Sequence, residues 1–142
     1  MTVIGPVIVD AGLLFAAADA DDRSHAQAVA VLEALETEHL TLPVTVVAEA
    51  AWMIGRRLGR NVEAAFLESV AMGEFARVDL SDDDWSRVAQ LTAGNGGSNL
   101  GVVDASVVAV AERLGVTSLA TFNRRDFLSV RPRHCESFQL VP

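Results

Sequence analysis

Residues 7–19 read VIVDAGLLFAAAD, and this stretch is the strongest indication of the fold class. Val7, Ile8 and Val9 form a short, wholly apolar run of the kind that a central strand of a parallel sheet requires. The small and apolar residues 11–18 that follow are typical of a short helix. A buried strand that passes directly into a helix is the first half of a βαβ unit, so the sequence predicts an α/β protein.

The rest of the chain continues this alternation. Further strands are predicted over residues 40–42, 76–80, 118–121 and 138–141. Helices capped by Asp22, Thr45, Asn61 and Ser81 are predicted to run to about residues 36, 58, 72 and 91, and a last one covers residues 103–114. Residues 92–100, TAGNGGSNL, are interpreted as a flexible loop. We therefore expect one domain over residues 1–142, with helices on both faces of a parallel sheet of four or five strands.

Three carboxylates lie in stretches that contain no other charged side chain. They are Asp10 within residues 1–18, Glu49 within residues 40–55 and Asp104 within residues 88–111. An ionised carboxylate in an apolar interior costs several kcal/mol unless it is compensated. Either a distant arginine folds onto each acid, or the three converge on one shared cation. Because ligands bind where parallel strands end, and all three acids are predicted at that edge of the sheet, we favour a shared divalent cation.

Each acid also has a simpler explanation. Asp10 can cap the helix that follows it, and Asp104 can be a first-turn acid that interacts with the helix dipole. Glu49 is harder to explain in this way, because a helix capped by Thr45 has its capping-box position at Ala48. Taken together, the three acids favour a metal site. Oxygen ligands suit Mg²⁺ or Mn²⁺, and two such ions can activate water for attack on a phosphodiester.

The composition limits the function further. The net charge is −8 and all 11 basic residues are arginine, so the chain is not expected to bind nucleic acid by bulk charge. Metal ions and a local basic group such as Arg56, Arg57 and Arg60 can still hold a phosphodiester. Cys135 is the single cysteine, which suits the reducing cytoplasm. No apolar run is long enough for a membrane span, and the N-terminus lacks the basic region of a signal peptide.

Four segments resemble, in order, the motifs of PIN-domain ribonucleases, and most of all the VapC-type toxins of bacterial toxin–antitoxin pairs. They are VIVDAGLLFAAAD (7–19), TLPVTVVAEAAW (41–52), NLGVVDASVVAVAERLG (99–115) and LATFNRRDF (119–127). The resemblance implies a three-layer α/β/α PIN-like fold and RNA cleavage that depends on Mg²⁺, with Mn²⁺ as the alternative ion. It also implies a cytoplasmic homodimer and a cognate antitoxin that blocks the site.

The resemblance also assigns the site residues. It gives metal-binding and catalytic roles to Asp10, Glu49 and Asp104, and it places the hydroxyl of Thr121 beside them. Many members of the family carry an aspartate where this chain has Asn123, and Asp126 follows three residues later. We favour Asp126 as the fourth metal ligand and catalytic acid, with Asn123 as a supporting residue. Asn123 as a ligand through its amide oxygen, or Asp126 as a surface acid paired with a neighbouring arginine, stays open.

Two other functions stay open from the sequence. One is a catalytically weak PIN-like module that binds RNA or a protein partner, against which the three isolated acids argue. The other is a phosphoryl-transfer domain such as a haloacid-dehalogenase-like phosphatase or a receiver domain. That class is disfavoured because no second acid follows two positions after Asp10, and because the chain has no lysine. By analogy alone, residues 22–36 and the group of Arg56, Arg57 and Arg60 are expected to contact antitoxin or RNA.

Overall fold

The structure is a computed structural model that describes residues 5–35, 39–94 and 99–142. In these ranges the strands are β1 (Val7–Val9), β2 (Leu40–Pro43), β3 (Ala76–Val78), β4 (Ser118–Ala120) and β5 (Gln139–Val141). The helices of the same ranges are α1 (Ala11–Ala18), α2 (His25–Ala34), α3 (Val44–Leu58), α4 (Arg60–Ala71), α5 (Asp82–Thr92), α6 (Val102–Leu114) and α7 (Arg124–Ser129). None of these helices is long and apolar enough to cross a bilayer.

The five described strands form one parallel sheet in the order β3-β2-β1-β4-β5, flanked by the helices. The predicted three-layer α/β/α fold is confirmed. From β1 the chain builds outward through β2 and β3 on one side, and β4 and β5 then extend the sheet on the other. Ligands bind at such a reversal of strand order, outside the carboxyl ends of the strands. Val9 pairs with Ala120, so the next residues, Asp10 and Thr121, leave the sheet side by side.

The core explains why the apolar runs take these positions. Val7, Ile8 and Val9 are completely buried, as expected of a central strand that is covered on both faces. In α6 all residues from 105 to 111 are buried, so this helix lies deep in the molecule. Burial of each valine or isoleucine contributes about 1.5–3 kcal/mol, and the apolar packing therefore fixes the strand ends and helix starts that carry the acids.

The predicted start of α3 is wrong. The helix begins at Val44, directly after β2, so Thr45 lies in its first turn and is not its cap. Pro43 fills the cap position, where its lack of an N–H group costs nothing because that group would have no helical partner. The Thr45 hydroxyl instead makes a hydrogen bond of 2.5 Å with the hydroxyl of Ser106 on α6. This bond ties together the two helices that carry Glu49 and Asp104.

Other element boundaries also differ from prediction. The helix α4 begins at Arg60, ahead of the predicted cap Asn61, because Gly59 ends α3 at φ 95° and opens α4 without a linker. The cap of α2 is Ser24 and not Asp22, whose carboxylate accepts a hydrogen bond of 2.8 Å from the backbone N–H of Ser24. The predicted end of this helix near residue 36, and the centre of the loop over residues 92–100, lie outside the described residues.

The predicted cap of α5 is confirmed, and its acid, Asp84, also forms an ion pair with the partly exposed Arg113. Ser81 Oγ accepts a hydrogen bond of 3.1 Å from the Asp84 N–H, and Asp84 Oδ2 accepts one of 3.0 Å from the Ser81 N–H. The same Oδ2 accepts a bond of 2.8 Å from Arg113 Nε on α6. The side chain of Asp84 is only 4% exposed, so it joins the cap to the packing of α5 against α6.

We predict that Asp84→Ala lowers the free energy of unfolding by about 2–4 kcal/mol, because it removes the cap partner and leaves Arg113 unpaired. Ser81→Ala should cost about 1 kcal/mol, since it removes only the cap. Urea unfolding measures both. Asp83→Ala is the matched control, because Asp83 is an exposed acid of the same turn. Equal stabilities of the Asp84 and Asp83 variants would contradict the assignment.

Candidate active site

Asp10 is positioned by both elements that it joins. It is the N-cap of α1, and its Oδ1 accepts a hydrogen bond of 2.8 Å from the Ala11 N–H, so the predicted capping role is real. Its Oδ2 accepts a hydrogen bond of 2.9 Å from Thr121 Oγ1, at the end of β4. The residue is only 8% exposed. Burial raises the pKa of Asp10, and the bonds from Thr121 and Ala11 partly oppose this rise.

Asn123 joins two further acids to this pair. Its Nδ2 donates a hydrogen bond of 3.0 Å to Asp104 Oδ2, in the first turn of α6, and one of 3.1 Å to Asp126 Oδ2. Its backbone N–H donates a hydrogen bond of 2.9 Å to Thr121 Oγ1. A continuous hydrogen-bond chain therefore runs from Asp10 through Thr121 and Asn123 to the other two carboxylates. A role for Asn123 as an oxygen ligand would require the amide to turn.

Glu49 is the fourth acid of the site, and together with Asp10, Asp104 and Asp126 it forms what we call the acidic group. It lies in the second turn of α3, is partly buried, and lines a cavity of about 250 Å³ together with Asp104 and the start of α6. Burial raises the pKa of Glu49, and the negative charge of Asp10 raises it further. The helix around Glu49 is less enclosed than the sequence predicts, because Ala48 and Trp52 are exposed.

The electrostatic environment is shared by all four acids. Burial raises the pKa of Asp104 to about 7, and the negative charges of Asp10, Glu49 and Asp126 contribute to the same rise, while the hydrogen bond from Asn123 opposes it. The ion pairs between described residues join Arg87 to Glu112 and Arg113 to Asp84, and so involve none of these acids. The charged forms of Asp10, Glu49 and Asp104 are therefore destabilised, and Asp126 contributes its negative charge to the environment of Asp104.

Divalent cations suit this set of ligands. In the described ranges, no three His, Cys, Asp or Glu side chains are already arranged around a common metal position. The donors are carboxylate oxygens, which Mg²⁺ and Mn²⁺ prefer, and a cation would remove the repulsion that raises the pKa of Asp104. The chemistry of the residues therefore fits a divalent metal.

Sequence reasoning missed two features of this region. The helix α7 has only six residues, too few to show a periodic pattern, yet it holds Asp126 in its first turn. Trp52 lies in the uncharged stretch around Glu49, which indicates burial, but it is 60% exposed, and the guanidinium of Arg56 lies 5.0 Å from its ring centroid. The spacing of Trp52 and Arg56, four residues apart on a helix, is the sequence feature that predicts this contact.

The chain belongs to the PIN domain family, whose family model matches residues 7–131. A curated relative, ribonuclease VapC26 of Mycobacterium tuberculosis, is 28% identical over 138 residues, which cover 96% of this chain and 100% of the relative. The range that the PIN family model matches spans the positions of the predicted site, from Asp10 to Asp126.

Solved structures agree on the fold. VapC20 of Mycobacterium tuberculosis, described as a toxin that cleaves the sarcin–ricin loop, gives a TM-score of 0.75 at 18% identity over 84% of this chain and 91% of its own. FitAcB from Neisseria gonorrhoeae gives 0.71 at 16% identity over 96% of both chains. FitAB bound to an IR36 DNA fragment gives 0.69 at 16% identity over 94% of this chain and 92% of its own. At such identities these structures establish the fold alone.

The raised pKa of Asp104 predicts how stability depends on pH without metal. The carboxyl titrates at 3.8 ordinarily and at about 7 in the folded protein, so over this interval the folded state binds more protons. Metal-free stability should therefore fall as pH rises from about 4 to about 7 and then level off. Asp104→Asn removes this titration and should raise stability at pH 8 by about 1–2 kcal/mol after allowance for solvent screening. Glu49→Ala should act in the same direction.

Urea unfolding in EDTA at pH 4.5 and pH 8 measures the effect. Asp83→Asn is the control, because it removes an exposed acid outside the site. A loss of stability at pH 8 in Asp104→Asn would show that the carboxylate is held by a structural partner, and would contradict the repulsion.

Proposed function

We propose that the protein is a metal-dependent endoribonuclease of the VapC type, the toxin of a type II toxin–antitoxin pair, which hydrolyses RNA phosphodiesters at the carboxylate group. The observation that carries the proposal is the coupling of the four acids at the reversal of strand order, which leaves Asp104 with a pKa of about 7. Strongly perturbed carboxylates in a cleft are typical of functional sites. Membership of the PIN domain family supports the same function.

The metal site in this proposal uses Asp10, Glu49, Asp104 and Asp126. When bound, Mg²⁺ or Mn²⁺ supplies an activated water and stabilises the leaving oxygen of the phosphodiester. Thr121 holds Asp10 in place through its hydroxyl. Asn123 donates a hydrogen bond to Asp104 and another to Asp126, and so fixes the distance between these two carboxylates. Neither of these two residues needs to contact the ion, and their role is to fix the directions in which the carboxylate oxygens point.

The relatives support the choice of substrate. VapC26 is named a ribonuclease and matches this chain over its full length, and VapC20 is described as a toxin that cleaves the sarcin–ricin loop. We include in the proposal a cognate antitoxin, a homodimer and a cytoplasmic location, as the resemblance to VapC-type toxins implies. The phosphatase-like alternative is not carried further, because the family match is to PIN domains.

The first test is metal-dependent cleavage. We predict that the protein cleaves structured RNA in Mg²⁺ or Mn²⁺ but not in EDTA, and that Asp10→Asn lowers the rate at least 100-fold, because one charged oxygen ligand is lost. Asp19→Asn is the matched control, since it changes an acid at the other end of the same helix. Cleavage that persists unchanged in Asp10→Asn would contradict the site. A folded wild-type protein that cleaves no RNA would favour a non-catalytic binding module.

A second test decides how the fourth position is filled. If Asp126 is the ligand and Asn123 the residue that positions it, Asp126→Asn should raise the Mg²⁺ concentration needed for half-maximal rate by about 10–100-fold. Asn123→Ala should then raise this concentration less, because it removes a hydrogen-bond donor and not a ligand. Titration of the cleavage rate with Mg²⁺ measures both. An unchanged requirement in Asp126→Asn, with a large loss in Asn123→Ala, would assign the ligand role to Asn123.

A further inference from the structure

A groove of about 380 Å³ lies between α1 and α3, the two helices whose N-terminal parts carry Asp10 and Glu49. Phe15 and Met53 form its apolar base, and Trp52, Arg56 and Arg57 line it with exposed side chains. None of these residues belongs to the hydrogen-bond chain that joins the acids. The groove therefore combines an aromatic surface, two positive charges and an apolar base in a protein whose net charge is −8.

The groove runs away from the acids along two helices. The helices α1 and α3 both follow parallel strands and pack against each other, and each carries a site acid near its start. Trp52 comes three residues after Glu49, about 4.5 Å further along the helix axis, and Arg56 lies about 10 Å beyond Glu49. Phe15 similarly follows Asp10 by about 7.5 Å. A strand that places a phosphodiester at the acids can therefore place a neighbouring nucleotide in the groove.

The side chains in the groove match a nucleotide. Trp52 is 60% exposed, so much of its indole ring is accessible to a partner. Arg56 lies 5.0 Å from its ring centroid and so holds a planar cation against the indole. Nucleobases stack on tryptophan and on guanidinium planes, and arginine pairs with phosphate oxygens through two parallel hydrogen bonds.

We propose that this groove, the Trp52–Arg57 groove, binds one nucleotide of the RNA strand next to the bond that is cleaved, with its base stacked on Trp52 and Arg56 and its phosphate paired with Arg57. The proposal rests on the proposed ribonuclease function and adds to it a contact that selects single-stranded RNA. Because every base has a stacking face, the groove favours single-stranded RNA over a paired duplex and discriminates weakly between bases. The acids thus hold the phosphodiester that is cleaved, and the arginines hold the neighbouring nucleotide.

Trp52 fluorescence tests the contact without relying on catalysis. The chain has two tryptophans, so Trp85→Phe leaves Trp52 as the only one, and Asp104→Asn prevents turnover. We expect hepta-adenylate to quench this fluorescence in Mg²⁺, while a heptamer of abasic phosphodiester spacers, which keeps the charges but lacks bases, does not. The matched variant Trp52→Phe, which leaves Trp85 as the reporter, should show no quenching. Equal quenching by both heptamers, or quenching of Trp85 alone, would overturn the proposal.

Cleavage kinetics give a second, independent measurement. Trp52→Ala should raise KM for a single-stranded RNA by about tenfold or more with little change in kcat, because stacking is lost equally from substrate and transition state. Trp52→Phe should recover most of the affinity. Arg57→Gln should reduce the dependence of binding on salt by about one phosphate contact. Because Trp52 is exposed, these variants are expected to fold, and circular dichroism checks this.

The outcomes separate this proposal from the proposed function. Metal-dependent cleavage with normal KM in Trp52→Ala would reject the groove and keep the ribonuclease. Base-dependent quenching in a protein that cleaves no RNA would keep the groove and reject the ribonuclease. A different occupant, an acidic peptide with an aromatic residue, would be shown if such a peptide quenches Trp52 while hepta-adenylate does not, and that result would overturn the proposal.

Discussion

Burial disfavours the charged form of the acids at the carboxyl ends of the strands, and the rest of the site depends on this conflict between burial and charge. Burial raises the pKa of Asp10, Glu49 and Asp104, and the charges of neighbouring acids add to the rise for Glu49 and Asp104. The groups that oppose the rise are neutral donors, the hydroxyl of Thr121 and the backbone N–H of Ala11 at Asp10 and the amide of Asn123 at Asp104. The fold thus keeps a destabilising arrangement that a cation would relieve, which is the expected physical character of a site and not of a core.

The order of the strands creates this arrangement. Asp10 and Thr121 are 111 residues apart in sequence, and they meet because β4 pairs directly with β1. The same pairing orients Asn123, whose backbone N–H is bound by the hydroxyl of Thr121. The contact between Asp10 and Thr121 therefore depends on the pairing of β4 with β1. A change that weakens β4 would disturb the site as well as the sheet.

Much of this could be predicted from the sequence, for identifiable reasons. The apolar run of β1 and the alternation of elements set the parallel sheet, and isolated charges in apolar stretches indicated Asp10, Glu49 and Asp104. The amide of Asn123 between two acids could not be predicted, because that contact depends on how α6 approaches α7. The exposure of Trp52 could not be predicted either, since an apolar stretch of helix does not indicate which face is covered.

In the proposed function, the negative net charge of the chain requires that the groups that attract RNA be separate from the acids that perform the chemistry. With a net charge of −8, the protein repels RNA at long range, so attraction must come from a short distance and from few groups. At the acids a divalent cation would reverse the sign of the local charge, whereas Arg56 and Arg57 are positive without any ion. In the proposed function, binding in the groove therefore responds to monovalent salt, and chemistry at the acids responds to divalent metal. A protein that relied on bulk positive charge could not separate these two responses, because salt would weaken all of its contacts with RNA together.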